Sequence, residues 1–212
     1  MKAEILKEFY ERYPQLCTIS NAVEEAYNIM ENAYLSGKKL LVAGNGGSAA
    51  DASHICGELM KSFRFKRPVT DALRESLVSI DNEKGARLAE TLEAPLRAIC
   101  LTDIDALTTA FMNDRDAACV WAQKLLGNGD EGDVFLALTT SGNSENVVLA
   151  AITAKAMGLK VVALTGANGG KITKYADLTV KVPETETFMV QELHLPVYHL
   201  WCQLLEDRFF NA

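Results

Sequence analysis

Two pairs of side chains in this sequence have the types and spacing of a metal-binding or proton-transfer site. His54 and Glu58 are four residues apart, which on a helix sets both on one face. Gln191 and His199 are eight apart, about 80° around a helix of 3.6 residues per turn, and Glu192 and His199, seven apart, are nearly in line. Imidazole nitrogens with carboxylate or amide oxygens are a donor set that zinc accepts. A solvated ion pair or a buried hydrogen bond would account for either pair alone. The third histidine, His194, lies about 140° from His199 and converges poorly on the same ion. It reads as a packed or capping residue. Pro196 removes one N–H within this segment and is expected to kink its axis.

Two further segments have the chemistry of anion binding. Gly44-Asn45-Gly46-Gly47-Ser48 and Thr139-Thr140-Ser141-Gly142-Asn143-Ser144 each follow an apolar run and precede a helical pattern. Glycine lets backbone N–H groups come close to a ligand. A helix start adds unpaired N–H groups and the positive end of a dipole. The competing reading makes Ser48 and Ser144 ordinary N-caps and the glycines ordinary turns. Neither segment carries the Gly-Lys-Ser/Thr of a nucleoside-triphosphate loop, and neither fits the GxGxxG dinucleotide pattern with an acidic residue closing the next strand.

The elements that must position these groups follow from periodicity. Apolar runs at Lys39 to Ala43, Arg97 to Thr102, Asp133 to Leu138, Leu159 to Leu164 and Asp177 to Val182 read as buried strands. Helical patterns separate most of them, near 48–63, 104–112, 115–127, 144–157 and 187–210. Such alternation predicts an α/β fold with a parallel sheet covered on both faces, and places ligands beyond the carboxyl ends of its strands. Upstream, Ile5, Phe9 and Tyr10, then Ala22, Ala26, Ile29, Met30 and Ala33, mark two amphipathic helices, the second closed by Gly37. Residues 69–95 interrupt the alternation. Leu73, Leu77 and Ile80, then Leu88 and Leu92, suggest two short helices about Asp81 to Gly85. They form either a surface excursion or a wall of the pocket mouth.

Composition narrows the function classes. The 212 residues suit one α/β domain, and 49% are hydrophobic. A net charge of -7 disfavours nucleic acid as a partner, since no general positive field attracts phosphate. An anionic substrate must then be held locally. No run approaches a membrane span, and Met1 to Ile5 shows no apolar signal core, which points to the cytoplasm. The five cysteines, Cys17, Cys56, Cys100, Cys119 and Cys202, contain no CxxC pair and read as buried free thiols.

The strings Leu41-Val42-Ala43-Gly44-Asn45-Gly46-Gly47-Ser48 through His54 and Glu58, Arg67-Pro68, Asn113-Asp114, Gly132 through Val147, Ala163 through Lys171, and Val182 through His199 resemble the sugar isomerase (SIS) domain family, and within it the phosphoheptose isomerases. The resemblance covers nearly the whole chain apart from 69–95. It implies one SIS domain over 1–212, with N-terminal helices in 1–37, a five-stranded parallel sheet between helical layers, and a homotetramer. It implies conversion of sedoheptulose 7-phosphate to D-glycero-D-manno-heptose 7-phosphate through an enediol. By the same resemblance Asn45, Gly46, Gly47, Ser48, Asn113, Asp114 and Gln191 contact the sugar, and Thr139, Thr140, Ser141 and Ser144 hold its phosphate. His54, Glu58, Gln191 and His199 bind zinc, with Glu58 and His199 as the acid/base pair. Departures are visible too. Relatives often carry Gly-Arg and an aromatic residue where this chain has Lys61-Ser62-Phe63, so an arginine fork is absent at Ser62. Other functions of the same fold are an isomerase of a different sugar phosphate and a non-catalytic protein that binds phosphosugars or associates with a replication initiator. Non-catalytic relatives tend to lose the glutamate and second histidine, and this chain keeps both.

Overall fold

A computed structural model describes residues 2–211 of the chain. The N-terminal helices are α1 (Lys2–Arg12) and α2 (Ser20–Leu35), joined by a 3-10 turn at Pro14–Ile19. Gly37 stops α2 as expected: its N–H and that of Lys38 bond back to the Tyr34 and Ala33 carbonyls. Then come β1 (Leu40–Ala43), α3 (Gly47–Met60), α4 (Asp71–Ile80), α5 (Asn82–Thr91) and β2 (Ala98–Cys100). The chain continues with α6 (Ala106–Asp114), α7 (Val120–Asn128), β3 (Val134–Leu138), α8 (Glu145–Ala156), β4 (Lys160–Thr165), β5 (Leu178–Lys181) and α9 (Thr187–Phe210).

The five strands make one parallel sheet in the order β2-β1-β3-β4-β5. Alternation along each strand sorts the core into two layers. Leu40, Val42, Leu136, Leu138, Val162 and Leu164 pack against α1, α2, α3 and α9. Leu41, Ala43, Phe135, Ala137, Val161 and Ala163 pack against α7 and α8. The order reverses direction between β1 and β3, which pair in register from Leu40↔Val134 to Ala43↔Ala137. Both glycine and hydroxyl loops leave those two strands, so they emerge side by side at the crevice where open α/β sheets bind ligands.

The 69–95 region is a helical hairpin. Asp81 caps α5 by accepting from the Lys84 N–H at 2.8 Å, and a Pro68–Glu93 bridge closes the base. Three sequence expectations need correction. α3 stops at Met60, not near 63, because Lys61 turns extended. The helical pattern at 115–127 divides into a 3-10 turn, Ala117–Cys119, and α7. Of the five free thiols, Cys56 and Cys202 are buried but Cys17 is exposed. α9 runs unbroken past Pro196. Among the described residues no helix is long and apolar enough to cross a membrane.

Candidate active site

The β1 loop is closed down by its neighbours. Gly46 is the N-cap residue of α3, and Ser48 lies buried in the first turn, so Ser48 is not the cap. A Cβ on Gly47 would sit 2.6 Å from the Gln191 side-chain nitrogen, so the glycine gives the Gln191 amide room to lie against the loop. Asn45 braces this loop to the next. Its Nδ2 donates to Asn146 Oδ1 at 2.8 Å, and its Oδ1 accepts from Asn146 Nδ2 at 2.9 Å and Trp121 Nε1 at 3.2 Å.

The β3 loop keeps its hydroxyls free of capping duty. Ser144 is the N-cap residue of α8 by position, yet its side chain accepts no bond from the helix. Its Oγ instead lies 3.3 Å from Thr139 Oγ1. Ser141 is exposed and Thr140 half-buried. Gly142 has φ +68, and a Cβ there would meet the Gly169 carbonyl oxygen at 1.9 Å. Asn143 anchors the loop to the segment after β4 by accepting from the Lys171 N–H at 3.1 Å. The result is a shaped turn offering hydroxyls and a helix N-terminus to solvent.

Where α3 meets α9 lie the titratable groups. His54 Nε2 is 3.2 Å from Glu58 Oε1, and the His54 and His199 rings meet edge to face with centroids 5.0 Å apart. His199 Nε2 is buried without a hydrogen-bond partner. Burial lowers the His199 pKa, the neighbouring His54 lowers it further, and Glu58 opposes both. On its other side His199 packs on Phe63 and lines a cavity of about 260 Å³ with Arg12, Arg64 and Gln203. The second oxygen of Glu58 accepts from Lys61 Nζ at 3.0 Å. Thus the lysine next to Ser62 serves the glutamate, while Arg64 faces the histidine cavity.

As the side chains stand, no three His, Cys, Asp or Glu residues among those described form a ready metal cage. The donor set nevertheless suits zinc. His54, Glu58 and His199 are neighbours, His199 Nε2 is an orphaned buried nitrogen, and Gln191 enters the first loop. His194 stays apart, fully buried, with neither ring nitrogen in a hydrogen bond of normal geometry. Burial pushes its pKa down to about 4, the facing Thr165 backbone offsetting only part. Asn113 and Asp114 are exposed at the end of α6 and bond to each other at 2.9 Å. No hydrogen bond among the described residues joins either to the two loops.

Several supporting roles escaped the sequence reading, that of Arg67 among them although Arg67-Pro68 carried part of the resemblance. Arg67 and Glu206 are both fully buried and paired at 2.8 Å. Glu206 also accepts the N–H groups of Phe63, Arg64 and Phe65, while Arg67 donates to the Leu59 and Glu58 carbonyls. This pair ties the end of the Glu58 helix to α9. Asp51 and Tyr198 flank His54. The i,i+3 spacing of Asp51 and His54, and the adjacency of Tyr198 to His199, were the available signals.

A family model described as the SIS domain matches residues 7–95 and 88–166. A phosphoheptose isomerase of Aneurinibacillus thermoaerophilus is 36% identical over 189 residues, spanning 89% of this chain and 82% of that protein. The chain belongs to the SIS-domain family, among the phosphoheptose isomerases. The phosphoheptose isomerase of Sulfurimonas denitrificans is 34% identical over 98% of this chain and 91% of its own. The solved phosphoheptose isomerase of Francisella tularensis superposes with a TM-score of 0.76 at 26% identity, covering 98% of this chain and 99% of that one. The Lys61–Glu58 ion pair places a positive charge beside the carboxylate that faces His54.

Proposed function

We propose that the chain interconverts sedoheptulose 7-phosphate and D-glycero-D-manno-heptose 7-phosphate. The observation that carries this reading is that Glu58, His54 and His199 come together on α3 and α9, while the loop from which α3 starts is tied through Asn45 and Asn146 to the uncapped start of α8. Thr139, Thr140, Ser141 and Ser144 receive the phosphate at the start of α8. The acidic chain attracts no anion at large, so these donors and the helix terminus do the holding. Asn45, Gly46, Gly47, Ser48 and Gln191 line the sugar's path, with Asn113 and Asp114 at its margin.

Glu58 takes a proton from C1 of the ketose, exchanges it with solvent while the enediol is bound, and delivers a proton to C2. His199 gives a proton to the C2 carbonyl oxygen and recovers one from the C1 hydroxyl. His54, Glu58, Gln191 and His199 are the residues that would hold zinc. The ion, when bound, would polarise the carbonyl. The assembly proposed is a homotetramer working in the cytoplasm.

A panel of C5 to C7 ketose phosphates, assayed for aldose formation, tests the reading. The C7 ketose should turn over fastest. Preference for a shorter sugar would assign the reaction to another phosphosugar. No turnover of any member would return the chain to the binding-protein class.

A further inference from the structure

Asp51, Tyr198 and His54 form a chain of contacts that none of the proposed roles uses. Tyr198 is buried between α3 and α9. Its hydroxyl lies 3.1 Å from Asp51 Oδ1 and 3.0 Å from His54 Nδ1. The Tyr198 ring also meets the His54 ring edge to face at 5.6 Å. On the far side of the imidazole, Nε2 lies 3.2 Å from Glu58 Oε1.

A phenol has one proton to give, and a carboxylate can only accept. The Tyr198 proton therefore goes to Asp51, which leaves the phenol oxygen as an acceptor facing Nδ1. That nitrogen must then carry the N–H. A neutral imidazole has no second proton, so Nε2 presents its lone pair toward a Glu58 oxygen that also only accepts. Two acceptors 3.2 Å apart are reconciled by a proton or a cation between them. We infer that Tyr198, oriented by Asp51, is a positioning residue that fixes His54 as the Nδ1–H tautomer and so presents Nε2 as the ligating nitrogen. Ligating histidines in general have their other nitrogen fixed in this way, and loss of such a partner typically costs 10–100-fold in metal affinity or activity.

The inference rests on the zinc reading of His54, and its test separates the two. The chain has only three histidines, so nitrogen-resolved NMR of the imidazoles can be assigned by single replacements. In wild-type protein at neutral pH, His54 should carry its proton on Nδ1. Tyr198→Phe keeps the ring contact and removes the hydroxyl. Asp51→Ala frees the Tyr198 proton to be donated to Nδ1. Both variants should move the His54 proton to Nε2, where Glu58 accepts it. Both should weaken zinc binding by roughly 10–100-fold in calorimetry with the metal alone, and lower kcat more than they raise KM. Unchanged unfolding temperatures for Tyr198→Phe would exclude a packing effect. A wild-type proton on Nε2, or zinc affinity within twofold of wild type in both variants, would overturn the inference. If wild type turns over no ketose phosphate while the tautomer and affinity shifts appear, the relay stands and the isomerase reading falls.

Discussion

The β1 and β3 loops begin from one sequence pattern and end in different states. Both are short glycine and hydroxyl turns between a buried strand and a helix. In the β1 loop the side chains are drawn toward the protein: Ser48 is buried, Asn45 is tied to Asn146 and Trp121, and Gln191 lies over Gly47. In the β3 loop Ser144 leaves its helix uncapped and Ser141 is exposed. A glycine-rich turn thus does one of two things. It lets another element come close, here α9 with Gln191, or it leaves more of its own polar groups facing solvent. What surrounds the turn decides which, and the motif alone does not.

The largest effect is expected where the first loop's helix meets the chemistry. Glu58→Gln should lower kcat by roughly 10²–10⁴-fold with the unfolding temperature kept, measured by steady-state kinetics beside calorimetry. Activity within a few-fold of wild type would strip the β1 unit of its catalytic part. The next effect concerns what holds that unit to α9. Glu206→Ala leaves Arg67 buried and unpaired, and urea unfolding should show a loss of about 3–5 kcal/mol. A loss under 1 kcal/mol would mean that the clamp is dispensable.

Most of the architecture was legible because the central strands β1, β3 and β4 are buried on both faces and so read as continuous apolar runs bounded by glycine or polar loops. The α9 helix was placed at Thr187–Phe210 from its pattern despite Pro196. The pairing of His54 with Glu58 followed from helical spacing. The rest depended on long-range partners that no local window contains. α3 ends early at Met60, and Glu206, more than 140 residues away, accepts the N–H groups of 63–65 just beyond that end. Asn45 became a brace because of Asn146 and Trp121. Lys61 pairs with Glu58 at i,i+3 spacing, which the sequence also carried.

His194 offers a third way to sharpen the contrast, since it sits on α9 but outside both loops. Its pKa is lowered in the fold to about 4 from an ordinary 6.5. Between those values the unfolded chain binds a proton that the folded chain refuses. Stability is therefore full above about pH 6.5 and falls as pH drops toward 4, by roughly 3 kcal/mol. Urea unfolding of His194→Leu should lack that part of the pH dependence. An identical profile in the variant would remove His194 as its source.

The smallest effects belong to the open loop, where each donor contributes separately. Ser141→Ala and Ser144→Ala should each weaken binding of the ketose phosphate by roughly ten- to a hundredfold, from the value of a charge-assisted hydrogen bond. Calorimetry with the unphosphorylated ketose should show weak binding that neither change alters. Equal affinity for the two sugars would make the β3 loop a turn like its neighbour.

The most direct test of the whole account is conversion of sedoheptulose 7-phosphate in deuterated water, followed by proton NMR of the sugars. An enediol made and quenched by Glu58 should yield D-glycero-D-manno-heptose 7-phosphate carrying deuterium at C2, and Glu58→Gln should form neither the aldose nor the label. Aldose formation by Glu58→Gln at the wild-type rate, or no aldose from wild-type protein, would contradict the account.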